Sequence, residues 1–378
     1  MDSPSSQNSR IPPEIVSIVI KALEHDKDTL KNCSLTCTVW RTLCLPTLFQ
    51  TLTILGDKGY MDAFRRFMII APHLRTHVRS ATLHISDRDS LEDDYVFGSS
   101  RWLDDEHTES LVSSFPNILN ADCFHYPLDS LSSAFSQMPI TNLRLQQYTA
   151  SPTEFLRVLA AGSKTLRSVT LDYIQCYNSS NTPPATQSVP KTTMSALEEL
   201  NVTFCTNLPF EPETIQMPRL RALFVSDDSD VMFSECLPDA LNTLAVDVYD
   251  YEQPPSSKTL LVENFCLLSP GYWDCLPAVR DTIKRYSVPS SIQHIEVVLH
   301  QDPLYEQPEP GDLETFEEFL LDLHETGLFR KLTITMKGDS HPQAYADKFP
   351  TLRLLGLFET RVGLSSVLYP RSAEIYGH

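Results

Sequence analysis

Apolar and polar positions along this 378-residue chain follow two different periods, and the change falls near residue 50. Before it, apolar residues recur at helical spacing. Ile11, Ile15, Ile18, Val19, Ala22 and Leu23 fit the i, i+3, i+4, i+7 series and predict one amphipathic helix with a single apolar stripe. Pro12 and Pro13 suit its first turn, where a missing N–H would have no intrahelical partner, and Glu14 complements the helix dipole. Asp28 is placed to cap a second helix with Leu30, Cys33 and Cys37 on one side. A third carries Val39, Trp40, Leu43 and Cys44 and reaches Pro46. A module of about 40 residues is too small to close a core alone, so Leu30, Leu35 and Trp40 are not completely covered within it. Each such side chain contributes about 1.5–3 kcal/mol once buried, which favours a partner surface.

From residue 49 a shorter unit recurs, apolar-x-x-apolar-x-apolar. It runs Phe49, Leu52, Ile54; Val78, Ala81, Leu83; Ile118, Ala121, Cys123; Ile140, Leu143, Leu145; and Leu166, Val169, Leu171. It continues as Leu197, Leu200, Val202; Leu220, Leu223, Val225; Leu241, Leu244, Val246; Ile292, Ile295, Val297; Phe329, Leu332, Ile334; and Leu352, Leu355, Leu357. A further copy falls near Val262, Phe265 and Leu267, where the spacing otherwise widens. The last two positions of each unit alternate as a half-buried strand requires. Between strands lie helical patterns: Met61 to Ile70 with Phe64, Phe67 and Met68 on one face, stopped by Pro72; a helix opened by Pro152-Thr153-Glu154; and Asp312 to Leu328. The fold class expected is α/β, with parallel strands on one face and helices on the other, each unit leaning on its neighbours. At 20–29 residues per unit this is the signature of an irregular leucine-rich-repeat solenoid. The asparagine that normally follows the strand is absent, and Cys176, Cys205 and Asp227 or Asp228 stand near its place. The stretch 177–193, rich in Ser, Thr, Asn and Pro, reads as a mobile loop, and the acidic segment Asp87 to Glu109 as including another.

Composition narrows the function. Thirty Lys and Arg against 49 Asp and Glu give a net charge of −19, which argues against a phosphate-backbone binder and against docking on anionic membrane. Eleven glycines leave little material for phosphate-cradling loops. No phosphate loop, nucleophile elbow or His-Glu-x-x-His helix occurs, so no catalytic, cofactor-binding or metal site is expected. His73 and His77 read as a surface pair for want of a third ligand. Nine scattered cysteines, a polar N-terminus and the lack of a long apolar run point to reduced thiols in the cytoplasm or nucleus. Arg10, Lys21, Lys27, Lys31 and Arg41 balance Asp2, Glu14, Glu24, Asp26 and Asp28, so the whole net charge is carried beyond residue 50. Ala222 to Ser257 and His300 to Phe329 contain no Lys or Arg. A solvated acidic face accounts for such runs, and so does a field that prefers basic partner segments.

The ordered features of the first fifty residues resemble an F-box. Ile11-Pro12-Pro13-Glu14-Ile15 stands where that family has Leu-Pro-x-Glu-Leu, and Ile18 and Leu23 continue its first helix. Ser34 to Arg41, reading SLTCTVWR, is similar to the family's Ser-Leu-Val-Cys segment ending in Trp-Arg. Ile11 replaces the commoner Leu and keeps apolar volume. The chain as a whole is similar to the F-box proteins numerous in mushroom-forming fungi. The resemblance implies three domains of organisation: a disordered tail at 1–9, an F-box at 10–50, and a repeat domain at 51–378 that recognises substrate. It implies a Skp-type adaptor and a cullin scaffold as partners, bound through Ile11, Pro12, Pro13, Glu14, Ile15, Ile18, Leu23, Leu30, Leu35 and Trp40 or the helices that present them. The protein would be a non-catalytic substrate receptor of an SCF-type ubiquitin ligase, with a protein client of basic character if the acidic runs are a binding field. An adaptor-bound interaction or structural protein acting outside ubiquitination stays open beside it.

Overall fold

The structure, a computed structural model, describes residues 11–55, 64, 66, 68–84, 115–124, 128–177, 191–226, 236–247, 259–269, 275–300, 310–337 and 347–362. The tail at 1–9, Phe67, the acidic segment from Asp87 to Glu109, and 178–190 of the expected loop lie outside the described residues. The chain divides into two compact units. One is built mainly from Met1–Tyr126 with Gln137–Ile140, the other mainly from Pro127–Ser136 and Thr141–Tyr376.

In the first unit, α1 (Pro13–Ala22), α2 (Lys27–Ser34) and α3 (Thr38–Leu48) precede three parallel strands, β1 (Thr51–Leu55), β2 (Ser80–His84) and β3 (Asn120–Phe124). Leu52, Ala81 and Ala121 are in register, one copy of the repeat beside the next. Pro72 does end the preceding helical stretch, and a 3-10 turn over Pro72–His77 leads into β2. The cap of α2 is not Asp28. Asp26 takes that role, its carboxylate accepting from the Thr29 N–H at 3.0 Å and the Thr29 hydroxyl at 2.6 Å, while Asp28 sits inside the first turn. Cys33 lies in α2 and Cys37 immediately precedes α3, so the two do not share a helical face.

Among the described residues the second unit carries nine parallel strands whose order in the sheet follows the chain. These are β4 (Asn142–Ala150), β5 (Ser168–Cys176), β7 (Glu199–Thr203), β9 (Ala222–Ser226), β10 (Ala240–Asp247), β11 (Leu261–Ser269), β12 (His294–His300), β13 (Lys331–Lys337) and β14 (Phe358–Val362). Two short strands, β6 (Thr192–Thr193) and β8 (Ile215–Gln216), pair separately, so the end of the expected 177–193 loop is a strand. The helices are α4 (Leu128–Gln137), α5 (Pro152–Ala161), α6 (Cys275–Tyr286), α7 (Pro310–Thr326) and α8 (Pro350–Leu354). At the start of α5 the Ser151 hydroxyl accepts from the Glu154 N–H, and the Glu154 carboxylate accepts from the Ser151 N–H, a reciprocal cap. A parallel sheet whose strands are laid down in chain order is compatible with a solenoid, in which each unit packs on its neighbours.

Register explains the spacing of the apolar residues. Leu143, Val169, Leu200, Leu223, Leu244, Phe265, Ile295 and Leu332 form one column across the sheet, and all are buried. The copy near Val262, Phe265 and Leu267 is a full strand, and those three side chains are completely covered. Strand alternation holds in β3 to β7, where every second residue faces solvent at least in part. It fails farther on. Ala245, Cys266 and Val298 point away from the main column yet are also buried, packed with Phe224 and Leu268. Both faces are covered there, and near-continuous apolar runs such as Phe265 to Leu268 are the sequence form of such strands.

The final unit departs from expectation. Leu352-x-x-Leu355-x-Leu357 fits the repeat, but 350–354 is helical and Leu332 pairs with Phe358 instead. The i, i+3 spacing suits a helix equally well, Pro350 opens it, and the Glu317 carboxylate accepts from the N–H groups of Thr351 and Leu352, each at 2.9 Å. Gly356, at φ 73°, then closes it. Its N–H donates to Arg353 and that of Leu357 to Leu352, leaving Leu354 exposed.

Cys205 lies two residues past β7: its sulfur accepts from the Ile174 N–H at 3.4 Å, and its thiol donates to the Thr203 carbonyl at 3.2 Å. Burial pushes this thiol up to about 12. Phe265→Ala removes a fully buried ring from the main column and is expected to lower unfolding free energy by about 3–5 kcal/mol in urea titration. Thr149→Ala, at an exposed strand position, should change it by less than about 0.5 kcal/mol.

Candidate docking surface

Helix α1 is apolar on more of its circumference than its neighbours can cover. With about 3.6 residues per turn its ten residues divide into three faces. Val16 and Ile20 point inward, joined by Leu23 just past the helix end, and meet Leu30 of α2 and Cys44 of α3 in one core. Cys33, Trp40, Leu43 and Leu48 pack around that core. Glu14, Ser17 and Lys21 form a polar face. Between these two faces lies an exposed apolar stripe, Ile11, Ile15, Ile18, Val19 and Ala22, with Ile18 65% exposed.

The residues singled out from sequence therefore separate into two groups. Ile11, Pro12, Pro13, Glu14, Ile15 and Ile18 are exposed on or just before α1, and Leu35 at the end of α2 is 81% exposed. Leu30 is fully buried, and Leu23 and Trp40 are partly buried against the same core. The expectation that the module leaves Leu30 uncovered is corrected: α1, α2 and α3 close around it. Leu35 does stay uncovered, and Val39 joins it on the surface. Sequence reasoning missed Val16 and Ile20 as the inward residues. Their signal was weak, because Ile15, Val16, Ile18, Val19 and Ile20 are all apolar and periodicity alone does not choose between two adjacent stripes.

In the second unit, polar chemistry concentrates on β12 to β14. Glu296, fully buried, accepts from the Thr335 hydroxyl at 2.5 Å, and the His294 ring lies 2.8 Å from the Thr333 hydroxyl. Beside them Glu359 pairs with Arg361 at 2.9 Å and with Lys331. Hydrogen bonds from Arg361, then Lys331, hold the Glu359 carboxyl down at about 2, and burial lowers His294 despite the nearby Glu296. The threonine hydroxyls join β12 to β13, and the Lys331–Glu359 pair joins β13 to β14. Among the described residues no cluster of three or more His, Cys, Asp or Glu side chains is placed to hold a metal ion, and no helix is long and apolar enough to cross a membrane. His73 is exposed on the 3-10 turn and His77 half-buried.

No model of a known protein family matches the chain, and no curated protein matches it.

Leu30→Ala opens the core of the three helices and should cost about 2–5 kcal/mol, whereas Ile18→Asp changes only an exposed position and should stay within about 0.5 kcal/mol. Thermal unfolding of the two variants separates the groups. The Glu359 pair sets a pH dependence. A carboxyl depressed from 4.5 to about 2 stabilises the fold above 4.5, and that contribution is lost as pH falls from about 4.5 towards 2. Glu359→Gln should flatten the acid limb of a melting-temperature profile over that window; an unchanged slope would show that the pair contributes nothing.

Proposed function

We propose that the chain is the substrate receptor of an SCF-type cullin-RING ubiquitin ligase. Its three N-terminal helices form an F-box that binds a Skp-type adaptor. Its strand–helix units form an irregular leucine-rich-repeat domain that holds a protein client. The observation that carries this reading is the pairing of a closed inner core, Val16, Ile20, Leu30 and Cys44, with an outer apolar set left in solvent, Ile11, Ile15, Ile18, Leu35 and Val39. A helical cap serving only its own fold has no use for a second apolar face, because exposed apolar area of that kind is a cost unless a partner covers it. The ordered Pro12-Pro13-Glu14 and Trp40-Arg41 landmarks supply the resemblance that names the partner.

The mechanism is proximity. The adaptor end ties the chain to the ligase, the repeat face holds the client, and the client's lysines meet the charged conjugating enzyme at raised effective concentration. No bond is made or broken by the chain itself, and its place of action would be the cytoplasm or nucleus.

Recovery of adaptor and cullin on the tagged full chain tests this. The parent should bring down both. Ile15→Asp/Ile18→Asp should reduce adaptor recovery by more than about tenfold, since each lost apolar contact is worth 1.5 kcal/mol or more, while the melting temperature stays put. Equal recovery by the variant would sink the F-box assignment. Adaptor without cullin would instead mark a protein acting outside ubiquitination.

A further inference from the structure

Three successive repeats turn their backbone the same unusual way at the same register. Gln147, Tyr173 and Phe204 have φ values of 55°, 54° and 51°, and none is glycine. The pairs Gln146–Asp172 and Tyr148–Ile174 bracket the first two residues, and Asp172 opposite Thr203 sets Phe204 beside Tyr173. Glycine makes this left-handed turn without steric penalty, and asparagine makes it more readily than most; a residue carrying a ring is strained there. Two aromatic residues occupy the column nonetheless. Their rings stack with centroids 4.7 Å apart and planes 24° from parallel, and Tyr173 remains 53% exposed.

Other side chains hold the turn: the Phe204 N–H donates to the Ser226 hydroxyl at 2.8 Å, and the Ile174 N–H to the Cys205 sulfur. The core beneath is filled by Leu171, Ile174, Val202 and Cys205, all buried. Strain kept at an exposed position that a smaller residue would satisfy points to use of the side chains.

The surrounding charge says what they would meet. Asp172, next to Tyr173 in the strand, faces Arg144 at 3.4 Å, and the chain beyond residue 50 carries the whole net charge of −19. An aromatic pair within a carboxylate field attracts a cation over its rings, and a guanidinium, being planar and weakly hydrated, stacks better than an ammonium. We propose that Tyr173 and Phe204 form a stacking platform for an arginine side chain carried on an extended segment of a protein client. That there is a client rests on the receptor reading; the platform itself rests on this geometry.

Binding of short random peptides by the full chain at low salt tests the platform. Four immobilised libraries are used, each with one fixed central residue: Arg, Lys, Glu or Leu. The Arg library should be retained at least about tenfold over the Glu and Leu libraries, with Lys between. Tyr173→Asn should lower Arg retention about tenfold while the melting temperature stays level or rises, because asparagine suits the turn; Tyr173→Phe should keep it. Equal retention of all four libraries, or Arg retention untouched by Tyr173→Asn, overturns the proposal. So does a large fall in melting temperature with Tyr173→Asn, which would make the stack structural. The two proposals fail separately: Tyr173→Asn should recover adaptor like the parent, and Ile15→Asp/Ile18→Asp should retain the Arg library.

Discussion

The in-register pairing of apolar positions across parallel strands is the constraint on which the second unit depends. From Leu143 to Leu332 the same position in each strand meets its counterpart in the next, and between β4 and β7, where the other face is solvated, a slip of one residue would turn the buried set to solvent. Parallel pairing also forces the chain back to the same end of the sheet after every strand, through a crossover too long for a tight turn. The helices α5, α6 and α7 and the reciprocal cap at Ser151 are solutions to that return. No single unit buries its own apolar residues, so stability is shared between neighbours.

The same register decides the chemistry of the opposite face. Where that face meets solvent, between β4 and β7, it holds Arg144, Asp172, Glu199 and Asn201. Where it is covered, from β10 to β13, it holds Ala245, Cys266 and Val298, and any polar group there needs a partner. Glu296 shows the rule. Its buried carboxylate is satisfied by Thr335, and its charge lies close enough to Arg361 to favour the charged guanidinium. Leaving such a carboxylate unpaired would cost several kcal/mol, about the size of a large core deletion.

How much of this the sequence discloses depends on whether a pattern has one structural meaning. The x-x spacing between Leu166, Val169 and Leu171 has one, because β-rich flanks and a following polar turn leave only a strand, and ten such units were legible with the eleventh at Phe265. Leu352, Leu355 and Leu357 have two, and the Glu317 carboxylate, remote in sequence, selects the helix. On α1 the difficulty is an excess of apolar residues: Ile15 and Val16 are neighbours of like chemistry, and only the positions of Leu30 and Cys44 determine that Val16 turns inward. Asp26 and Asp28 likewise compete for one cap, and the start of α2 at Lys27 gives it to Asp26. The left-handed turns at Tyr173 and Phe204 had no local signal, since glycine or asparagine is what such turns ordinarily show.

The two ends of the chain offer opposite kinds of contact, and the charge balance follows that difference. The first fifty residues carry five cations and five anions and display isoleucine and leucine, so attraction there comes from covering apolar area and is almost indifferent to salt. The rest carries the entire charge of −19, and its half-exposed sheet face holds carboxylates that act over roughly a Debye length, about 8–10 Å at physiological ionic strength. On the proposed reading this division is functional. A permanent scaffold contact gains from apolar burial and slow release, whereas a client that must arrive, be modified and leave gains from long-range steering and contacts that exchange readily. An acidic module at the adaptor end would repel nothing useful there, and an apolar face at the client end would hold its cargo too indiscriminately. On that reading the neutral helices and the acidic repeats would be complementary parts of one proximity device.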